Sequence, residues 1–324
     1  LDLWGNLRWA NDVAIAEYLS SVEGQRALMM SLVAEVAENY FELIALDNEL
    51  TIVKQTLKAR EEGAKLAKIR FEGGVTSETS YQQAQLEYAK TATLIPDLEK
   101  KIAIKENEIL ALSGCYPQHI ARINIQENVT LPDSIPVGMP SDLLERRPDV
   151  RMAEQQLIVA NAKVGLTYTN MFPRIALTTD LGFETDEFAT ILSSPMFFIG
   201  ANLLSPVFNM GKNRAKYKAQ IAVYEQECYR YEKTVMSAFY DVMNALVEFD
   251  KIKEIYEARL LLQQSAKVTM DLAQLQYING VIGYVDVLDA QRNYFDAQIS
   301  LSNAYRDKQI TMVKLYKALG GGWN

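Results

Sequence analysis

Two stretches, RFEGGVTSETSYQQAQLEY at Arg70–Tyr88 and QYINGVIGYVDVLDAQRNY at Gln276–Tyr294, align without a gap at an offset of 206 residues. Each interrupts a helical pattern with Gly-Val and resumes it with Ala, Gln and Tyr at matching places. The same offset pairs Leu66 with Leu272, Ala67 with Ala273, Gly5 with Gly211 and Gly114 with Gly320. Self-similarity at a fixed period marks a duplicated structural unit, so the chain reads as two copies of one unit.

In each copy the first helix is long. Arg214 to Ile278 contains neither glycine nor proline, and at 1.5 Å per residue it makes a rod of roughly 100 Å. The matching run from Arg8 to Glu72 is interrupted only by Gly24 and Gly63. The returning helices carry a coiled-coil seam. Val287, Ala290, Tyr294, Ala297, Leu301 and Ala304 recur at steps of three and four, as do Tyr81, Ala84, Tyr88, Thr91, Ile95, Leu98 and Ile102. Pro96 is expected to kink its helix. Gly73-Gly74 and Asn279-Gly280 then fall where an outgoing helix ends and its partner returns, since Gly and Asn accept the left-handed conformation that closes a helix. These residues, with Val75 and Val281, form two hairpin tips. A tip can be a bare turn; two equivalent tips favour a docking surface.

Composition excludes several functions. The net charge of −8 offers no broad positive field for nucleic acid. One histidine, His119, and two cysteines, Cys115 and Cys228, are too few for a zinc cluster or a disulfide framework. No nucleophile is paired with a base, so the chain reads as a non-enzyme that needs no cofactor. No apolar run is long enough for a transmembrane helix. The opening Leu1-Asp2-Leu3-Trp4-Gly5 reads as the end of a strand, with an upstream segment expected before it.

Between the copies, Pro173–Glu184 (PRIALTTDLGFE) alternates. Ile175, Leu177, Thr179, Leu181 and Phe183 fall on one face, and Arg174, Ala176, Thr178, Asp180 and Glu184 on the other. After the polar loop TDEFATILSSP, a second candidate strand covers 196–208 with weaker alternation. About ten alternating residues suffice to cross a bilayer within a barrel. Two strands alone are marginal, and open sheet edges cannot face lipid, so several chains must close one barrel.

The segment Met139–Leu177 carries the sharpest motif, MPSDLLERRPDVRMAEQQLIVANAKVGLTYTNMFPRIAL. Pro148 suits a first helical turn, and Arg146 and Arg147 read as anchors for carboxylates or carbonyls. This motif, including Asp149, Asn161, Gly165 and Pro173, resembles the outer membrane factor family, the TolC-like exit ducts of Gram-negative tripartite efflux pumps, and within it the RND-type efflux lipoprotein branch. VLDAQRNYFDAQ at Val287–Gln298 and YKALGGGW at Tyr316–Trp323 also look like this family.

The resemblance implies a mainly α chain with membrane β: long antiparallel helical hairpins forming a trimeric α-barrel, plus a trimeric 12-stranded β-barrel, with two structural repeats per chain. Residues 1–114 would be the first repeat, 115–147 an equatorial linker and 148–324 the second repeat. An upstream lipid-bearing cysteine, a helix and a first strand would precede Leu1. The implied partners are two further copies of the chain, a periplasmic adaptor (membrane fusion) protein, an inner-membrane RND-type pump and outer membrane lipid. Asp289 and Arg292 match the family's aperture motif, with Val285 at its apolar constriction, which implies a periplasmic gate; Asp286 is a neighbouring pore charge. One inward aspartate per chain becomes a ring of like charges in a trimer. A soluble coiled-coil scaffold and a type I secretion duct are the alternative readings.

Overall fold

A computed structural model describes residues 2–122, 144–183, 195–204 and 210–321. In chain order the elements are α1 (Asn6–Glu72), α2 (Glu78–Leu112), α3 (Pro148–Thr169), β1 (Arg174–Phe183), β2 (Pro195–Leu204), α4 (Met210–Ile278) and α5 (Tyr284–Ala318). Each boundary of α2 recurs 206 residues later as a boundary of α5, and the end of α1 recurs as the end of α4. Much of the 115–147 linker, residues 185–194 of the loop, Glu184, 205–208 of the second strand, Met139–Leu143 and Trp323 lie outside the described residues, while Pro195 opens β2.

Contacts divide the chain into two units. One holds Leu1–Leu28 with Met139–Phe239, the other Met29–Gly138 with Tyr240–Asn324. Each unit draws residues from both sequence repeats.

In the second unit the helices pair as antiparallel hairpins. Lys105 of α2 reaches Glu42 of α1 at 2.9 Å, and Lys54 reaches Glu99 at 3.3 Å. In the other hairpin the Gln263 amide of α4 donates to the Tyr294 hydroxyl of α5 at 3.4 Å. The seam is a stripe of small residues seven apart: Ala290, Ala297, Ala304, Thr311 and Ala318 are buried on α5, and Ala84, Thr91 and Leu98 on α2. A seven-residue repeat keeps one face on its partner, and small side chains let the backbones approach. Tyr88, Ile95 and Ile102, counted in the expected seam, are half-buried at its edge. Pro96 does not interrupt α2, which continues through it to Leu112. Gly63 is accommodated within α1 because the Tyr284 hydroxyl approaches to 3.3 Å of where a Cβ would stand.

In the first unit α3 lies antiparallel to the start of α1. Lys163 pairs with Glu17 at 2.7 Å, Arg151 with Glu23 at 2.9 Å, and the Asn6 amide donates to the Thr169 hydroxyl at 2.7 Å. Asp2 to Gly5 form a turn and not the end of a strand. The Asp2 carboxylate accepts from the backbone N–H groups of Leu7 and Arg8, at 3.0 and 3.2 Å, which commits this segment to capping α1.

β1 and β2 pair antiparallel, with Arg174 opposite Leu204, Leu177 opposite Ala201 and Leu181 opposite Phe197. Opposed residues share a face. One face therefore carries Ile175, Leu177, Thr179, Leu181, Phe197, Ile199, Ala201 and Leu203. The other mixes Arg174, Thr178, Asp180 and Asn202 with Met196, Phe198 and Leu204, which explains the weaker alternation of β2. Among the described residues nothing covers the apolar face: Leu181 is 81% exposed and Leu203 66%. No described helix is long and apolar enough to cross a membrane.

Candidate functional site

The two tips close by the same device. Gly74 N–H donates to the Phe71 carbonyl at 2.9 Å and Val75 N–H to the Arg70 carbonyl at 2.8 Å; Gly280 and Val281 make the equivalent bonds to Tyr277 and Gln276 at 3.0 and 2.9 Å. This is the paired closure in which the glycine takes the left-handed conformation, with φ of +69° at Gly74 and +73° at Gly280. Only the second residue of each predicted pair needs that freedom. Gly73 and Asn279 keep negative φ, and the Asn279 amide instead donates back to the Leu275 carbonyl at 2.8 Å. Val75 and Val281 stand exposed beyond the turns, 63% and 70% accessible.

Beneath the tips a small core of Ala64, Ala67, Ala84, Tyr277, Tyr284, Val287 and Leu288 joins the hairpins. Arg70 of α1 donates to the Tyr277 carbonyl of α4 at 3.2 Å, and its guanidinium lies 4.5 Å from the centre of the Tyr277 ring. Burial, with Tyr277 alongside, pushes the Tyr284 hydroxyl up to about 12.

Val285, Asp289 and Arg292 follow at steps of four and three on α5, so they share one side, away from the buried Tyr284, Val287 and Ala290; all three are exposed. Asp286 has a local role: its carboxylate accepts from the Gly283 N–H at 3.1 Å and caps the first turn of α5. Arg292 holds Asp289 through Nη1 at 2.9 Å and, through Nη2, the Oε1 of Glu87 on α2 at 2.8 Å.

Glu87 is the hub of this cluster. It is buried, and it also meets Lys90 at 3.2 Å and Arg60 of α1 at 3.1 Å. Burial alone would raise its carboxyl; hydrogen bonds from Arg292 and Lys90 and the charges of Arg60 and Arg292 hold it below the ordinary carboxylate value. Arg292 is held above its own ordinary value by the hydrogen bond to Glu87. Arg60 lies outside every motif, and Glu87 falls within the Arg70–Tyr88 stretch at a position where the two copies differ, so neither stood out in the sequence. Their signal is divergence between the copies: at the 206-residue offset Arg60, Glu87 and Arg292 face Ala266, Asn293 and Leu86.

The motif before the strands builds the first unit. Arg147, 6% exposed, grips the Asp149 carboxylate at two points, 2.7 and 3.1 Å, and donates to the Ala238 carbonyl at 3.4 Å. Pro148 opens α3. Gly165 sits where a Cβ would meet the Trp9 ring at 2.5 Å. Pro173 offers its carbonyl to the Trp4 indole N–H at 2.9 Å, and Trp4 stacks on Phe172. Arg146 and Asn161 are exposed. Among the described residues no cluster of His, Cys, Asp or Glu could hold a metal ion.

The described residues thus combine helical hairpins closed by matched tips with a strand pair whose apolar face is exposed. Residues 1–115 and 139–321 match the family described as outer membrane efflux protein, and the chain belongs to it. It is 33% identical to the outer membrane protein OprJ of Pseudomonas aeruginosa, over 100% of this chain and 68% of OprJ. It is 29% identical to the probable outer membrane lipoprotein SilC of Salmonella typhimurium, over 100% of this chain and 70% of SilC. The solved outer-membrane channel OprN superposes with a TM-score of 0.91 at 25% identity, covering 100% of this chain and 73% of OprN. The protein is thus an outer membrane exit duct of an efflux pump.

Proposed function

We propose that three chains close one passive duct, with the three described strand pairs supplying six strands of a 12-stranded β-barrel in the outer membrane and the hairpins, as two structural repeats per chain, forming a periplasmic α-barrel. The bare apolar face of β1 and β2 carries this reading. Its large side chains have no covering layer among the described residues, and lipid has no donor for free strand edges, so the sheet must close against further copies. A strand of ten residues spans roughly 34 Å along its axis and, tilted, matches the hydrocarbon thickness. A soluble coiled-coil scaffold would leave that face without a purpose.

Val285, Asp289 and Arg292 form the periplasmic gate in this reading. Val285 narrows the pore, Asp289 supplies a ring of three like charges, and Asp286 adds charge at the rim while capping α5. The Glu87–Arg292 pair latches one hairpin to the other, so the gate opens when the hairpins part. The exposed tips, Gly73-Gly74-Val75 and Asn279-Gly280-Val281, dock a periplasmic adaptor that brings an inner-membrane RND-type pump. That pump selects the cargo of drugs, other small molecules or metal ions and supplies the energy. Asp289→Ala combined with Arg292→Ala is expected to raise open-channel frequency in planar bilayers at least tenfold. Unchanged opening frequency in correctly assembled trimers removes the gate assignment.

A further inference from the structure

The cluster holds one group that a simple latch does not explain. Arg60 is a buried cation, 8% exposed, facing the equally buried Glu87. Among the described residues only its Nη1 engages acceptors: the Glu87 Oε2 at 3.1 Å, the Glu87 carbonyl at 3.1 Å and the Thr91 hydroxyl. Its Nε is buried with no acceptor. Unpaired buried donors are costly and uncommon. Glu87 divides its own oxygens in a complementary way: Oε2 goes to Arg60, and Oε1 goes to Arg292 and Lys90. Arg292 and Lys90 are about half exposed, at 45% and 59%. Arg60 is buried, with its guanidinium over the Phe295 ring at 5.7 Å from the ring centre.

We propose that Arg60 is a standby partner for Glu87: when the gate opens and Arg292 leaves, the freed carboxylate oxygen turns to a reserve N–H of Arg60 and forms a two-point ion pair. This rests on the gate reading above. A guanidinium suits the task because its donors form a planar fork matching a carboxylate, whereas an ammonium offers a single point. Without it, opening would leave a buried carboxylate facing only the half-exposed Lys90 of α2. From α5 the Tyr284 hydroxyl also faces the pair, with Tyr277 of α4 beside it, and Asp289 and Asp296 act on it through the two arginines. Arg60 therefore acts as a positioning residue that lowers the cost of unlatching and keeps Glu87 ionised in both states.

The test is opening frequency in planar bilayers at about pH 7 and about pH 5. In the wild type Glu87 keeps its charge throughout, so the two frequencies agree. In Arg60→Gln the open state raises the Glu87 carboxyl, opening takes up a proton, and acid favours it. The variant should open about tenfold less often than wild type at the higher pH, the weight of one charge-assisted hydrogen bond, and recover at the lower. Arg60→Lys, which keeps the charge without the fork, should open several-fold less often at both values, and it decides the matter if Arg60→Gln fails to assemble. Equal loss at both pH values in Arg60→Gln, or wild-type behaviour in either variant, overturns the proposal. Arg292→Ala separates the two claims. If it opens more often than wild type while Arg60→Gln shows no pH dependence, the standby role alone fails; if it behaves as wild type, the gate itself fails.

Discussion

A methyl group at Gly165 would overlap the Trp9 ring, so a residue that looks like a flaw in α3 is what lets α3 approach α1. Gly165→Ala is expected to cost about 1–3 kcal/mol through forced repacking, seen as a lowered thermal midpoint. Gly74, whose missing Cβ has open space, would show no such clash. The Arg147–Asp149 pair gives a pH signature. Burial pushes the Asp149 carboxyl up, but the hydrogen bonds and charge of Arg147 and the Val150 N–H outweigh it and hold it below its ordinary value of 3.8. A depressed carboxyl contributes stability that is complete above the ordinary value and disappears as pH falls through the depressed one. Asp149→Asn should therefore lower the melting midpoint at neutral pH, and the gap to wild type should narrow below about pH 4. A gap constant with pH would deny the pair that role.

Helix ends show how far local pattern reaches. Gly280→Ala forces a side chain into the left-handed region and is expected to cost about 1–2 kcal/mol. Asn279→Ala, at negative φ, loses only the bond to the Leu275 carbonyl and should cost less; equal losses in thermal unfolding would contradict the closure described. The hairpins and strand pair were legible because periods of seven and two are written in neighbouring residues. Asp286 reads as a pore charge by position, yet three residues of backbone decide its capping bond. The opening segment reads as a strand by its apolar residues, but the Asp2 carboxylate commits it to capping α1. The Arg60–Glu87–Arg292 cluster was not legible as a unit, because its members come from three helices brought together only by packing. What sequence did hold was the break in the duplication at those positions.

At the scale of the whole molecule, large apolar side chains stay uncovered among the described residues. Leu177, Leu181, Phe197, Ile199 and Leu203 are each more than half exposed, and on α4 Tyr229, Tyr240, Met243 and Val247 are exposed as well. Apolar area on this scale marks contact with lipid or with other chains. Tryptophan substitution at Gly74 or Gly280 should abolish efflux in cells while trimers persist, if the tips dock an adaptor; normal efflux would show that they do not. The most direct measurement is the mass of the detergent-solubilised protein, by native mass spectrometry or light scattering with the micelle subtracted. Three chains per particle, with aggregation once detergent is removed, is the predicted result, and a monodisperse single chain stable without detergent would contradict it.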